Sequence, residues 1–589
     1  MNMPQVRPYQ FNAAAPLRFL GIACGLAFSL LAGCASVPEN KAPIPAQPVI
    51  AQEDKRPDLP KQELSSQTLY SLLLAEIALQ RGEVALASHA YKDILQNTND
   101  YRVAERAAQV ALSAQNADES LSAAQRWLAL EPDSIPALQT VVGVLVSKGK
   151  LSEAKPHIQK ILSAEGTNIG QGFLFLNKLL GRHPNKAEVL MLVQTLARDY
   201  PNLPEAHFAE AQAAWFAENK PLALQAIDVA LAQRPTWEEA ALFKAQILQN
   251  TSSANAQEFY TAYLREYPHS RDLRLAYARF LVQEKQYPAA REEFKRLSVD
   301  FPDQPDVPLA IGLLSMQLQD YEAAEMYLRL ALERGVKDED SVRLYLGQLN
   351  EERKQWDAAK QWYEAVSGIQ AFNAKIRIAG LLARQDKLPE ARAYLHGIEA
   401  TNNQQRTQLV SAEAALLRDA KLYQEAFDVL GKALVKLPNH PDLLYDYAMA
   451  AEKIDRIEVM ESSLKKLIQV KPDNAHAYNA LGYTLADRTT RFEEAKRYLD
   501  QAIKLAPEDA FILDSLGWLQ YRMKDNAQAI TTLRHAFRVR ADPEIAAHLG
   551  EVLWESGEKM EAKKIWDNAL LNNPNHEALL AAIQKYKVR

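Results

Sequence analysis

Cysteine is almost absent from this sequence. Its 589 residues include two cysteines, Cys24 and Cys34, both close to the N-terminus. Cys24 belongs to an apolar stretch that we expect to be cleaved away, which leaves a single thiol at the first position of the mature chain. One thiol cannot form an intrachain disulfide, and the rest of the chain has no sulfur nucleophile. In a secreted protein such an odd cysteine needs a specific explanation.

Long tracts of one charge are also absent. The formal net charge is -6, and removal of residues 1–33, which contain two arginines and no acidic residue, makes it more negative by two. Acidic and basic residues are interspersed, and no run of five or more basic residues occurs. The charge pattern typical of nucleic-acid binding is therefore missing, and we interpret the charges as a solvated surface.

The sequence contains none of the short motifs that commonly indicate catalysis. HExxH, GxSxG, Walker A and CxxC motifs are absent, and the eleven histidines show no spacing typical of metal ligands. Nearly all the glycines lie at close-packing positions or turns of a repeat, so no phosphate-binding loop is indicated. We therefore predict a protein that is not an enzyme and that holds no cofactor and no metal.

The N-terminal residues have the layout of a bacterial secretory signal. Arg7 and Arg18 precede an apolar run from Phe19 to Ala32, which is too short for a membrane-spanning helix of about 20 apolar residues. Leu31-Ala32-Gly33-Cys34 resembles the lipobox of bacterial lipoproteins. The resemblance implies that the Cys34 sulfur receives a diacylglyceryl group, that the chain is cut before this residue, and that the new amine is acylated. An ordinary signal peptide with an incidental cysteine, or an uncleaved anchor, is the alternative.

The segment after the cysteine has the composition of a tether. Residues 35–62 contain six prolines and few large apolar residues, which favours extended conformations over a packed core. We expect residues 1–33 to be the signal peptide and residues 34–66 to be a lipidated, proline-rich tether. Ala35 and Ser36 follow the cysteine, where aspartate would mark inner-membrane retention in enteric bacteria. By this resemblance we expect an outer-membrane location facing the periplasm.

From Thr68 onward the sequence repeats with a period of about 34 residues. In the clearest unit Leu549-Gly550 lie early in a first helix, Ala562 and Trp566 lie in a second helix, and Pro574 ends the unit. Two helices approach closely only where a Gly or Ala on one faces an Ala on the other, and a larger residue one turn on fills the remaining space. The repeat therefore predicts paired, closely packed helices.

These residues resemble the tetratricopeptide-repeat (TPR) family over most of the chain. The resemblance implies an all-α, right-handed superhelical solenoid with a concave groove lined by the first helix of each pair. The period predicts about fifteen helix pairs between residues 68 and 574, with one residue inserted near Thr489. We divide the array into degenerate repeats at 67–403 and regular repeats at 404–574. The least regular stretches are 166–201, 237–268 and 370–400.

A capping helix is predicted at 575–589. Asn575 is expected to cap its N-terminus, and Leu579, Leu580 and Ile583 are expected to cover the final repeat. A solenoid needs such an end-cap, because its last unit has no following neighbour.

In the TPR geometry five positions of each first helix face the concave side. In the last regular repeats these positions include Tyr445, Met449, Asn479, Tyr483, Asp487, Asp514, Trp518, Tyr521, Arg522 and Trp554. Aromatic residues and arginine exposed on one wall are typical of a protein interface, so we predict that extended or unfolded polypeptide binds here. The alternative is that some of these side chains complete the packing between adjacent first helices.

The C-terminal repeats have a more specific resemblance. Residues 513–518 (LDSLGW), 542–545 (DPEI) and 548–554 (HLGEVLW) resemble the large TPR lipoproteins of gammaproteobacterial outer membranes. One of these binds and activates a periplasmic carboxyl-terminal processing protease, a serine peptidase that trims cell-wall-associated proteins. The resemblance implies a non-catalytic adaptor whose partners are such a protease and its protein substrates. An assembly factor or pilotin for a pilus, secretion or polysaccharide-export machine is the alternative.

Overall fold

The computed structural model describes residues 65–164, 169–181 and 183–586. Within these ranges the chain forms 31 α-helices and a 3-10 helix at Gly368–Gln370, with no strand. The predicted all-α fold class is confirmed. The predicted signal peptide, the predicted lipidation site Cys34 and residues 34–64 of the predicted tether lie outside the described residues, as do residues 587–589 of the predicted capping helix.

The helices follow one another with short connections. The first fourteen are α1 (Ser66–Gln80), α2 (Val84–Gln96), α3 (Tyr101–Ser113), α4 (Ala117–Leu130), α5 (Ile135–Ser147), α6 (Leu151–Ala164), α7 (Ile169–Leu180), α8 (Lys186–Ala197), α9 (Pro204–Phe216), α10 (Lys220–Gln233), α11 (Glu238–Gln249), α12 (Ser253–Glu266), α13 (Arg271–Gln283) and α14 (Tyr287–Asp300). The others are α15 (Asp306–Gln317), α16 (Tyr321–Glu333), α17 (Glu339–Glu352), α18 (Trp356–Glu364), α19 (Ala371–Arg384), α20 (Leu388–His396), α21 (Asn403–Asp419), α22 (Tyr423–Lys436), α23 (Pro441–Lys453), α24 (Ile457–Val470), α25 (Ala475–Arg488), α26 (Phe492–Leu505), α27 (Ala510–Arg522), α28 (Asn526–Val539), α29 (Pro543–Glu555), α30 (Lys559–Asn572) and α31 (Glu577–Lys585). Taken two at a time, α1 to α30 make fifteen helix pairs, as the repeat predicts, and α31 follows alone.

The chain divides into two compact units. Of the described residues, those up to Ala310 form one unit and those from Ile311 onward form the other, so the division falls within α15. In the first unit a continuous cluster of buried side chains extends from Ala75 to Ile247. In the second unit two successive clusters together extend from Ala414 to Ala582. The predicted change from degenerate to regular repeats at 403/404 concerns sequence regularity, and it stays a prediction.

Small residues allow the two helices of a pair to approach. A Cβ placed on Gly517 in α27 would lie 2.6 Å from the Cγ of Leu533 in α28, and one placed on Gly550 would overlap the indole of Trp566. Ala562, on the helix that faces Gly550, is fully buried. The spacing of glycine, alanine and larger residues in the repeat therefore reflects direct helix-helix contact, as predicted.

The turn inside most pairs depends on one residue with positive φ. After α3, Gln115 has a φ of 56°, and the N–H groups of Gln115 and Asn116 donate to the carbonyl oxygens of Leu112 and Ala111 at 3.0 and 2.9 Å. These bonds satisfy carbonyl groups that the helix end would otherwise leave unpaired. Among the described turns of this type, nine have a residue other than glycine at the positive-φ position.

The turn after α25 differs from its neighbours. Helix α25 has 14 residues, whereas α23, α27 and α29 each have 13. Its C-cap is Thr489, which has an extended conformation with φ -136° and ψ -177°. The Thr489 hydroxyl donates to the Leu485 carbonyl oxygen at 2.6 Å and accepts from the Arg491 N–H at 3.0 Å. The residue predicted to be inserted near Thr489 is thus taken up at this helix end.

Helix α31 covers the last pair in a way that differs from the prediction in two details. Its N-cap is His576, whose N–H donates to the Asn573 carbonyl oxygen at 3.2 Å, so the chain is still in a turn at Asn575 and the predicted Asn575 cap is wrong. Leu579 is fully buried, but Leu580 is 44% exposed. Consecutive helical residues point about 100° apart, so both cannot face the final repeat.

Candidate partner-binding groove

First helices of the C-terminal unit line an open groove, which we call the first-helix groove. It is formed by α17, α19, α21, α23 and the start of α25, and its volume is about 990 Å3. Its apolar lining consists mainly of Leu344, Ile376, Ala412 and Ala415. Because every contributing helix is the first of its pair, the groove lies on the face that the TPR resemblance predicts.

Short hydrogen-bonding side chains make up much of the remaining lining. They include Ser341, Gln348, Gln370, Asn373, Gln408 and Ser411. Gln370 Nε2 donates to Ser341 Oγ at 2.9 Å. Gln348 is 5% exposed, and its Nε2 has no hydrogen-bond partner among the described residues. The groove therefore combines satisfied polar side chains with at least one buried donor that lacks an acceptor.

The ionisable lining of the groove is balanced. Three basic side chains (Arg377, Arg418, Lys471) and three acidic ones (Asp442, Asp446, Asp473) face it. Arg377 is drawn to Glu351, with its Nη1 3.6 Å from Oε2. Arg418 has a buried Nε without a hydrogen-bond partner in the described chain. The groove thus has no strong preference for ligands of one charge.

Tyr445 and Asp446 form one wall of the groove on α23. Asp446 Oδ2 accepts a hydrogen bond from Ser411 Oγ of α21 at 2.9 Å. Burial raises the pKa of Asp446, while the Ser411 hydrogen bond and the Arg418 charge act in the opposite direction. Burial also raises the pKa of Tyr445. Both side chains are half-buried, so this wall is preformed.

Beyond the groove, side chains of successive first helices contact each other. Asp514 is the fifth residue of α27, and His548, 34 residues later, is the sixth residue of α29. His548 Nδ1 lies 2.8 Å from Asp514 Oδ2, and both side chains are buried. Between α27 and α29, side chains therefore fill the space that is open in the first-helix groove, and we call this part of the first-helix face the closed region.

The closed region contains titratable groups with displaced pKa values. Burial by itself lowers the pKa of His548, but the adjacent Asp514 carboxylate, helped by Glu544 and Glu551, raises it to about 9. Burial raises the pKa of Glu544 to about 7, although the charges of His548 and Lys453 oppose this. His548 therefore favours its protonated form at neutral pH, and Glu544 beside it is partly protonated.

Trp518 connects three first helices within this closed region. Its ring stacks on His548 with centroids 4.4 Å apart, and its Nε1 donates to Asp487 Oδ1 at 3.1 Å. Arg522 Nη1 donates to the Asp487 carbonyl oxygen. Tyr521 packs beside Trp518, with ring centroids 5.1 Å apart.

The structure places the ten predicted binding residues differently from the expectation. Tyr445 lines the open groove. Five others (Met449, Asn479, Asp514, Trp518, Tyr521) are buried, so their predicted exposure is wrong, and four (Tyr483, Asp487, Arg522, Trp554) are half-buried. Packing between neighbouring first helices accounts for several of them, because Asp514, Trp518 and Arg522 contact residues of an adjacent first helix. Their role in partner binding stays a prediction.

Several residues of the region were missed at the sequence level. His548 and Glu544 were passed over, and His548, the sixth residue of α29, lies one place beyond the repeat position of Asp514, the fifth residue of α27. The open groove was missed because its walls on α17, α19 and α21 precede most of the regular repeats from which candidates were drawn. Applying the same repeat positions to α17 would have indicated Gln348, which follows Gly347 as Trp518 follows Gly517.

Two other kinds of feature, a metal site and a membrane-spanning helix, are absent from the described residues. Among the described residues, no group of three or more His, Cys, Asp and Glu side chains is arranged to hold a metal ion. None of the described helices has both the length and the apolar character needed to cross a membrane. The first-helix groove is the candidate site of the C-terminal unit.

Comparisons with known proteins agree with the helix-pair architecture. Family models of the tetratricopeptide repeat match residues 248–312, 309–334 and 475–509. The chain is 33% identical over 528 residues to the TPR repeat-containing protein PA4667 of Pseudomonas aeruginosa, covering 89% of this chain and 88% of that protein. Among solved structures, the thermophilic TPR protein TTC0263 of Thermus thermophilus is 22% identical with a TM-score of 0.28, covering 30% of this chain and 96% of that one. Yeast Tom70 is 14% identical with a TM-score of 0.32, covering 88% of this chain and 100% of that one.

Proposed function

The chain belongs to the tetratricopeptide-repeat family, whose members bind other proteins, and on that premise we propose that it is a non-catalytic adaptor of the bacterial envelope. In this proposal it is anchored in the outer membrane through lipid on Cys34 and faces the periplasm. It binds and activates a carboxyl-terminal processing serine protease. It also presents cell-wall-related protein substrates to that protease.

The observation that supports an adaptor most directly is the open first-helix groove. A groove of about 990 Å3 that crosses five first helices offers a long surface to a partner. Its lining mixes apolar, hydroxyl, amide and charged side chains, which is typical of protein-binding surfaces. Partner binding is therefore the function that this geometry favours.

Support for the choice of partner comes from sequence likeness. The segments 513–518, 542–545 and 548–554 resemble outer-membrane TPR lipoproteins that include a protease activator. They contain Asp514 and His548, which join two first helices in the closed region. An adaptor of this kind can act without tight contacts, since tethering raises the effective concentration of two partners to the mM range. A proline-rich tether of about 3.1 Å per residue would extend roughly 80 Å from the bilayer.

Copurification tests the choice of partner. We expect the tagged full-length protein, solubilised in mild detergent from its native envelope, to retain a serine protease that mass spectrometry identifies. Replacement of Cys34 by Ser should release the tagged protein from the membrane without preventing that association. Recovery of a secretin or a glycan synthase in place of a protease would favour the assembly-factor alternative.

Surface variants test whether the groove is the binding site. Asn373→Arg with Gln408→Arg places two bulky charges at exposed positions of the groove. The matched control, Gln424→Arg with Val435→Arg, adds the same charge on exposed positions of α22. The groove variant should reduce protease retention at least tenfold, while the control retains it. Equal retention by the two variants would mean that the protease binds elsewhere.

An activity assay tests the adaptor role. We expect the purified chain alone to hydrolyse no protein substrate and to increase the kcat/KM of the protease when the two are mixed. A peptidoglycan-crosslink hydrolase is a suitable substrate. Hydrolysis by the pure chain, or an unchanged kcat/KM in the mixture, would contradict the proposal.

A further inference from the structure

We propose that the first-helix groove binds an internal, uncharged and extended polypeptide segment through the main chain of that segment, and not through a free terminal carboxylate. This inference rests on the proposed function in one respect, namely that the groove is a partner-binding site. It adds the chemical class of the bound segment and the residues that recognise it.

Two donors in the groove lack acceptors. Gln348 Nε2 on α17 and Arg418 Nε on α21 are buried and have no hydrogen-bond partner among the described residues. Leaving such a donor unpaired is unfavourable, and a ligand with a suitably placed acceptor removes that cost. Carbonyl oxygens of an extended main chain are acceptors that recur along the ligand independently of its sequence. The two side chains are therefore suited to main-chain carbonyl groups.

The acceptors of the groove argue against an acidic ligand. Asp446 shares the wall with Tyr445, and burial raises its pKa, but Arg418 is close enough for its charge to oppose that rise. Any carboxylate that approached Arg418 would therefore also approach Asp446, and like charges repel. A main-chain amide carries no charge and is not repelled, because its N–H can donate to Asp446 while its carbonyl oxygen accepts from Arg418. Asp446 and Arg418 together are therefore better suited to bind an internal peptide unit than a terminal carboxylate.

The shape of the groove agrees with an extended segment. Ala412 and Ala415 on α21 contribute small side chains to its lining, so a peptide backbone can come close to the helix. Neighbouring packed helices are about 8–10 Å apart, so the five first helices span roughly 35 Å. At about 3.3 Å per residue this length fits on the order of ten extended residues. The bound segment is therefore longer than the few residues that a terminal clamp would hold.

Peptide display tests the inference with the full mature chain as bait. Two libraries of random 12-residue peptides are compared, one inserted between two folded domains and one ending in a free carboxylate. We expect binders from the internal library, depleted in Asp and Glu. An enriched peptide is then synthesised with acetyl and amide ends and again as the free acid. The amide form should bind with a Kd at least as low as that of the free acid.

Substitutions in the groove identify the recognising residues. Gln348→Met keeps side-chain length and removes the donor, while Arg418→Met removes the donor and shortens the side chain, and each should raise the Kd of the capped peptide about tenfold. Gln348→Met should not lower the unfolding temperature, since it removes an unpaired buried donor. Gln424→Met and Arg538→Met, at exposed positions of second helices, are controls that should leave the Kd unchanged. Asp446→Asn should improve binding of the free-acid peptide relative to the amide.

The possible outcomes separate this inference from the adaptor proposal. Binders that come only from the free-carboxylate library, or that lose affinity when amidated, would overturn main-chain recognition. The same conclusion follows if neither library binds while the protease is still retained, and the adaptor proposal then stands. Peptide binding that depends on Gln348 and Arg418 in a protein that retains no protease would support the inference and contradict the adaptor proposal.

Discussion

Asp514 and His548 lie 34 residues apart and join α27 to α29 through one buried contact of 2.8 Å. Helices α27 and α29 belong to successive pairs, so the contact links one pair to the next. A buried ion pair contributes little net stability, but removing one partner leaves an uncompensated charge that costs about 3–5 kcal/mol. The last repeats therefore depend on this pair for their stacking even though it is not part of the open groove.

The stability of this region should fall as the pH rises. Burial raises the pKa of Glu544 to about 7 from an ordinary value of 4.5, so between these values the folded chain holds a proton that the unfolded chain has released. Its contribution to the free energy of unfolding is complete below pH 4.5 and is lost as the pH rises through 7. His548, with a pKa raised from 6.5 to about 9, adds a loss of the same sign between pH 6.5 and 9. Hydrogen exchange of α27 and α29 across this pH range measures the effect.

Glu544→Gln isolates the carboxyl contribution. The amide keeps the shape of the side chain but does not ionise, so the variant should lack the loss between pH 4.5 and 7. At pH 8 it should be more stable than the parent by on the order of 2 kcal/mol. Glu493→Gln, at an exposed position of α26, is the control and should follow the parent. If the stability of Glu544→Gln and of the parent changed with pH in the same way, Glu544 would not ionise in this range.

Two glycines within helices should respond to alanine in opposite directions. A Cβ on Gly550 would overlap the Trp566 indole, whereas a Cβ on Gly380 in α19 would meet no described atom within 4 Å. Gly550→Ala should therefore destabilise the chain by about 1–3 kcal/mol through overpacking. Gly380→Ala should stabilise it by about 0.5–1 kcal/mol, because alanine loses less backbone entropy in a helix. Thermal unfolding followed by circular dichroism compares the two, and a Gly550→Ala protein that melts no earlier than the parent would refute the close packing.

Replacing a residue of positive φ by glycine should stabilise the turn between α15 and α16. Gln319 is exposed and has a φ of 59°, a conformation that carries a steric cost for residues with a Cβ. Gln319→Gly should raise the free energy of unfolding by about 0.5–1 kcal/mol. Gln317→Gly, two residues earlier in α15, is the matched control and should lower it by a similar amount. Urea unfolding of both variants measures the change in the free energy of unfolding and shows whether glycine stabilises or destabilises each position.

The end-cap should depend on one face of α31. Leu579 is fully buried against the last pair, while its neighbour Leu580 is 44% exposed. Leu579→Ala should destabilise the C-terminal end by about 2–5 kcal/mol, and Leu580→Ala should change stability by less than about 0.5 kcal/mol. Limited proteolysis of α29 to α31 reports this local change. Equal protease sensitivity in the two variants would mean that α31 does not seal the array.

The helix pairs could be predicted from sequence because their packing rule is local. Gly517 and Leu533 lie in the two helices of one pair, and the space that glycine leaves is taken by the leucine side chain. This pairing of a glycine with a larger residue recurs at fixed spacing along the chain, so the sequence period predicts both the helices and the contacts between them. The lipobox at Cys34 was equally clear at the sequence level, but the described residues do not include it.

The open part of the first-helix face could not be predicted in the same way. The family geometry indicates which positions face inward, but the width of the gap depends on the volumes of side chains from several pairs together. Trp518 meets His548 from the next pair at a ring distance of 4.4 Å and so fills the gap. Upstream, Ala412 and Ala415 leave it open. The combined volume of side chains from different helix pairs, and not the repeat position alone, therefore determines where the first-helix face is open to a partner.

The unusual turn at Thr489 has a practical consequence. The chain accommodates an additional residue there, because α25 lengthens and Thr489 adopts an extended conformation while α27 and α29 keep 13 residues each. Thr490, beside it, is exposed. A short reporter peptide inserted after Thr490 should therefore leave the later pairs in phase, which provides a labelling point for following the protein in living cells.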